Sequence, residues 1–101
     1  MILREKDKNT IVSIASDIFT QGIELWAYGS RVNGDAHDTS DLDIVILTDN
    51  GEKIDIDKFM SFKSSLQKSN IPILTQVMDW NRIPESFHKN ILSNYEVIFK
   101  I

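Results

Sequence analysis

Apolar positions recur along the chain with two different periods, and the switches between them mark the elements. From about Thr10 to Phe19 they fall at Ile11, Ile14, Ala15 and Ile18, with Val12 and Phe19 widening the stripe. That spacing predicts an amphipathic first helix, ended by Gly22. Ile23 to Tyr28 then reads as a short strand of aliphatic and aromatic residues running into Gly29 and Ser30. Between Arg31 and Ser40 the pattern dissolves into Asn33, Gly34, Asp35, His37, Asp38 and Thr39, a loop with room for one helical turn. The run Asp41-Leu42-Asp43-Ile44-Val45-Ile46-Leu47 is the strongest strand signal, β-branched and apolar, and Asp49-Asn50-Gly51 supplies a turn after it. It is expected to be central. Helical spacing returns from about Asp55 to Lys68 at Ile56, Phe59, Phe62 and Leu66, and Asn70 closes that segment. A third strand is predicted over Ile71 to Met78, a short helix from Pro84 to about Leu92, and a closing strand from Glu96 to Ile101.

This order predicts an α/β (α+β) fold with helices packed on a mixed sheet. At 101 residues the chain is expected to be one domain spanning residues 1–101, since domains run to roughly 100–150 residues. A hydrophobic share of 42% and a charged share of 26% are those of an ordinary globular protein. The segment from Met1 to Lys8 is too charged for a signal peptide, and no stretch is long and apolar enough to span a membrane. Without cysteine there are no disulfides or thiolate metal sites. The cytoplasm is the expected compartment. A net charge of -4 argues against binding long nucleic acid, which calls for clustered Lys and Arg. It leaves room for a single nucleotide held through a divalent cation.

Candidate chemistry gathers around the second predicted strand. Side chains alternate across a strand, so Asp41 and Asp43 project from one face while Leu42, Ile44 and Ile46 project from the other. Two carboxylates that close repel each other unless a cation holds both ionised, and Mg²⁺ is the natural ion for such oxygen donors. At the end of the preceding strand, Gly29 permits close backbone approach, and free amides with the Ser30 hydroxyl suit phosphate oxygens. Arg31 is a candidate phosphate ligand, with a solvated loop arginine as the bland alternative. Trp26 and Tyr28 are read as core aromatics, and Asp35, His37 and Asp38 as an exposed polar loop.

Gly29-Ser30, ten intervening residues and Asp41-x-Asp43 on an apolar strand resemble the signature of minimal nucleotidyltransferases of the DNA polymerase β superfamily. Arg31, Gly34 and the run Ser40-Asp41-Leu42-Asp43-Ile44 extend the resemblance, and the order of elements carries it over most of the chain. It implies that Gly29 and Ser30, with Arg31 and Ser40, bind the triphosphate and that Asp41 and Asp43 bind Mg²⁺, one ion or two. It also implies transfer of a nucleoside monophosphate, with ATP the most natural nucleoside triphosphate. Two metals about 3.5–4 Å apart suit an in-line displacement. Where the family carries a third acid in its third strand, this chain has Gln76. A carboxamide is neutral at every pH and cannot act as a base. Asp79, three residues on, faces the opposite side of a regular strand and has a bland reading as a turn cap.

Proteins of this minimal size resemble the antitoxin half of bacterial two-gene modules, which can adenylylate a tyrosine on a HEPN-domain ribonuclease partner. Such a partner is the expected acceptor. The competing reading is a catalytically impaired module, weakened by Gln76, that works by binding nucleotide or partner. A third is a structural or homo-oligomerising domain in which Asp41 and Asp43 merely cap a loop.

Overall fold

A computed structural model describes residues 3–33 and 41–101. The chain runs α1 (Glu5–Ile18), β1 (Ile23–Tyr28), α2 (Ser30–Asn33), β2 (Leu42–Thr48), α3 (Ile56–Gln67), β3 (Thr75–Asp79), a 3₁₀ turn (Trp80–Arg82), α4 (Glu85–Ser93) and β4 (Tyr95–Lys100). The four strands form one mixed sheet in the order β3-β2-β1-β4. β1 pairs antiparallel with both β2 and β4, whereas β2 and β3 run parallel, joined by the crossover helix α3. β2 is central, as its apolar run predicts.

Alternation along β2 divides the core between two faces. Leu42, Ile44 and Ile46 join Ile11, Ala15 and Phe19 of α1 and Phe59, Phe62 and Leu66 of α3 in the larger cluster. Val45 lies on the other face with Tyr28 and with Ile91 of α4, flanked by Trp26, Leu47, Met78 and Phe87. Each fully buried Leu, Ile or Phe in these layers contributes about 1.5–3 kcal/mol. Because both faces are covered, β2 is apolar on both sides except at its start, where Asp41 and Asp43 stand. Trp26 and Tyr28 are core aromatics as expected: Trp26 stacks on Tyr95 at 4.0 Å and meets Trp80 edge-on at 5.6 Å.

Two boundaries differ from the hydrophobic pattern. α1 begins at Glu5 rather than near Thr10, because its first turn is held by charge: Arg4 Nε donates to Asp7 Oδ2 at 2.9 Å, and the amides of Asp7 and Lys8 both donate to the Arg4 carbonyl. β3 begins at Thr75 rather than Ile71, since Pro72 has no amide hydrogen to give a ladder.

Asp79 is 1% exposed and faces away from Asp43. Its carboxylate accepts from the amides of Ile54 (2.9 Å) and Asn81 (3.0 Å) and from Arg82 Nε (3.0 Å), while Arg82 Nη2 donates to the Ile54 carbonyl (2.7 Å). This clasp ties the end of β3 to the segment entering α3. The turn-cap reading of Asp79 is therefore the one the structure supports.

Candidate active site

β1 delivers the first component. At its end Gly29 turns the chain with φ +83°, and its carbonyl accepts from the amide of Val32 at 3.0 Å as α2 begins. A Cβ at this position would lie 2.5 Å from Asp43 Oδ2. Glycine is thus required twice over, for the left-handed backbone and for the carboxylate packed against it. Ser30 opens α2 directly afterwards. Arg31 is 4% exposed, so it is not the solvated loop arginine considered above.

β2 and β3 deliver the rest. Asp43 sits opposite Tyr28 on one side and in register with Gln76 on the other, and Asp41 immediately precedes β2. Gln76 Nε2 donates to Asp41 Oδ2 at 2.9 Å. In a carboxamide the hydrogens sit on nitrogen, so Nε2 is the donor and the aspartate oxygen the acceptor. Parity along β3 therefore puts Gln76 beside the acidic pair and Asp79 on the far face.

The electrostatics are those of a pair seeking a cation. Partial burial pushes the Asp43 carboxyl above its ordinary range, and the charge of Asp41 pushes it further. Tyr28, whose hydroxyl donates to Met78 Sδ at 3.5 Å, is raised to about 12, first by burial and then by Asp43. A hard divalent ion fits this donor set: two carboxylates with unspent negative charge, leaving nucleotide phosphates to complete the shell. Among the described residues no group of three or more His, Asp or Glu gathers as a ready-made metal cage.

The structure thus brings Gly29, Asp41, Asp43 and Gln76 together, with Ser30 and Arg31 following Gly29. Ser40, Gly34, Asp35, His37 and Asp38 lie outside the described residues. What pattern reading missed is Tyr28 as the neighbour of Asp43. The parity that puts Asp43 off the α1/α3 face was available, but the antiparallel register across the 13 residues between β1 and β2 was not.

Comparison with known proteins agrees with this fold. A chain from a crystal structure described as a toxin–antitoxin with AMP-PNP superposes with a TM-score of 0.74 at 16% identity, covering 93% of this chain and 73% of that one. Another, from a tri-AMPylated Shewanella oneidensis HEPN toxin in complex with MNT antitoxin, gives 0.71 at 12% identity, over 98% of this chain and 74% of that one. These likenesses show the fold. In sequence, the probable protein adenylyltransferase MntA of Haemophilus influenzae is 35% identical over 74 residues, which are 73% of this chain and 63% of that protein. The chain thus spans less than two thirds of that relative's length. No helix among the described residues is long and apolar enough to cross a membrane. The family model described as "Polymerase beta, Nucleotidyltransferase" matches residues 9–101, and the chain accordingly belongs to that nucleotidyltransferase family.

Proposed function

We propose that this chain transfers AMP from ATP to a hydroxyl of a protein partner, a HEPN-domain protein in the role of toxin. The observation that carries the proposal is the convergence of Gly29, Asp41, Asp43 and Gln76 where β1, β2 and β3 meet. The relatives support the choice of nucleotide and acceptor: the Haemophilus protein is named a protein adenylyltransferase, and the Shewanella toxin carries AMP in complex with its antitoxin.

In this reading Asp41 and Asp43 hold Mg²⁺, which when bound offsets the negative charge of the triphosphate. Gly29 lets the backbone pass close to Asp43, and Ser30, Arg31 and Ser40 serve the phosphates. The acceptor oxygen attacks the α-phosphorus, the bond to the bridging oxygen breaks, pyrophosphate leaves, and the acceptor proton passes to water. Gln76 orients Asp41 through its hydrogen bond and takes no proton.

Gln76 also favours a second reading, a module that binds nucleotide and partner but transfers slowly for want of a base. General-base assistance is worth about 10²–10⁴-fold. Calorimetric titration of Mg-ATP into the wild type, Asp41→Asn/Asp43→Asn and Gln76→Asp, followed by a transfer assay with the partner, separates the cases. Binding lost in the double variant, with wild-type transfer that Gln76→Asp leaves unimproved, favours the competent enzyme. Transfer that rises by a hundredfold or so in Gln76→Asp favours the impaired module. Wild-type binding that survives in the double variant would refute both assignments of the acidic pair.

A further inference from the structure

We infer that the acceptor reaches this site as an extended peptide segment added to the open edge of β3. The inference rests on the protein-acceptor reading of the site and names how that acceptor is held.

Among the described residues β3 forms one edge of the sheet, paired only with β2 on its inner side. The Leu42 amide donates to the Leu74 carbonyl at 2.9 Å. In a parallel ladder the residues alternate in the side to which their backbone groups point. Gln76 and Met78 therefore serve β2, while the N–H and C=O groups of Thr75 and Val77 point outward. That is the template on which a further strand pairs.

Next to this edge, between the last turns of α3 and β3, lies a hollow of about 350 Å³ lined by Lys63, Gln67, Leu74, Thr75, Gln76 and Met78 among others. It continues past Thr75 into a second hollow of about 300 Å³. Leu74, which lines both hollows, is 58% exposed, so the groove offers apolar contact. Lys63 gives the groove a positive charge suited to an acidic segment.

Continuity with the candidate site selects this edge over that of β4. Gln76 belongs to the groove and hydrogen-bonds to Asp41, whereas β4 is separated from β2 by β1. Two strand spacings of about 4.8 Å put roughly 10 Å between the backbone of an added strand and that of β2. A serine or threonine hydroxyl, one bond beyond Cβ, falls short of the acidic pair. A tyrosine hydroxyl, at the far end of its ring, reaches farther towards it.

The probe is a short peptide of alternating valine and threonine around a central tyrosine, with glutamate at each end, added to the ¹⁵N-labelled protein with Mg-ATP. At saturation the Thr75 and Val77 amides should exchange with solvent at least about tenfold more slowly, while Gln76 and Met78, already bonded within the sheet, change little. Thr75→Pro, which removes an outward donor at a position where an edge strand tolerates proline, should weaken peptide binding with Mg-ATP binding retained. A peptide with serine in place of tyrosine should bind but accept no AMP. Protection at Thr75 and Val77 without transfer to the tyrosine supports the docking edge and counts against the transferase reading. Transfer to the tyrosine without that alternating protection, or undiminished peptide binding in a folded Thr75→Pro protein, overturns the docking edge and leaves the transferase reading standing. No protection and no transfer overturns the docking edge as well.

Discussion

Replacing Gly29 with alanine adds one methyl group where β1 turns against the Asp43 carboxylate, and two separable penalties follow. The first is conformational: φ of +83° costs an L-residue about 1–2 kcal/mol. The second is steric: the new Cβ would sit 2.5 Å from Asp43 Oδ2, so the aspartate side chain must turn aside, and an off-rotamer displacement costs about 0.5–1.5 kcal/mol. Together they predict a loss of about 2–3 kcal/mol, which for a domain of this size lowers Tm by roughly 10–20 °C. Urea unfolding followed by tryptophan fluorescence measures the total, and a double-mutant cycle with Asp43→Ala separates the parts. In the Asp43→Ala background Gly29→Ala should cost only the conformational share, giving a coupling of about 1 kcal/mol. Additivity within about 0.5 kcal/mol would show that the methyl and the carboxylate do not compete for space, and the packing argument for Gly29 would fail. Since the displaced carboxylate is a proposed metal ligand, Gly29→Ala should also weaken Mg-ATP binding by about tenfold or more for each 1.4 kcal/mol of lost interaction.

Other expectations follow from the same neighbourhood. Asp79→Ala leaves the Ile54 and Asn81 amides without their acceptor and Arg82 without its carboxylate, and should cost about 2–4 kcal/mol in urea unfolding. Because Asp79 faces away from Asp43, Mg-ATP affinity of the protein that remains folded should be unchanged. The fold raises the Asp43 carboxyl above its ordinary value of 3.8 through burial and then Asp41, so in that window the folded state holds more of this proton than the unfolded chain. Its contribution to stability therefore falls as pH rises from the ordinary value through the raised one. Urea titrations without divalent cation should show that slope in the wild type and lose it in Asp43→Asn. Tyr28, raised to about 12 with burial the larger cause and Asp43 the smaller, should ionise only in strong base by tyrosinate absorbance. Asp43→Asn should bring it part of the way back, and full restoration would contradict the order of causes.

Much of this was legible from residue pattern because the period of burial is printed in the side chains. Leu42, Ile44 and Ile46 announce β2, Phe59, Phe62 and Leu66 announce α3, and the parity of Asp41 and Asp43 places two carboxylates together. Parity also sets Gln76 against Asp79 before any coordinates. The first turn of α1 escaped because its anchor is an ion pair, Arg4 with Asp7, rather than an apolar stripe. The late start of β3 reflects backbone chemistry at Pro72 inside an otherwise strand-like apolar run. Nothing in the residue pattern placed Tyr28 and Gly29 against Asp43, since that meeting depends on register between strands separated by a long connection.

The parallel pairing of β2 with β3 has a consequence in time as well as in space. Asp41 and Gln76 are 35 positions apart, and the crossover through α3 must close before they meet. The β1–β2 ribbon is the more local union, whereas parallel pairing waits on a long loop whose closure entropy has to be overcome first. A nascent chain that has released only its first two strands therefore carries both aspartates but not their amide partner. Assembly of the complete trio reports that the crossover has closed.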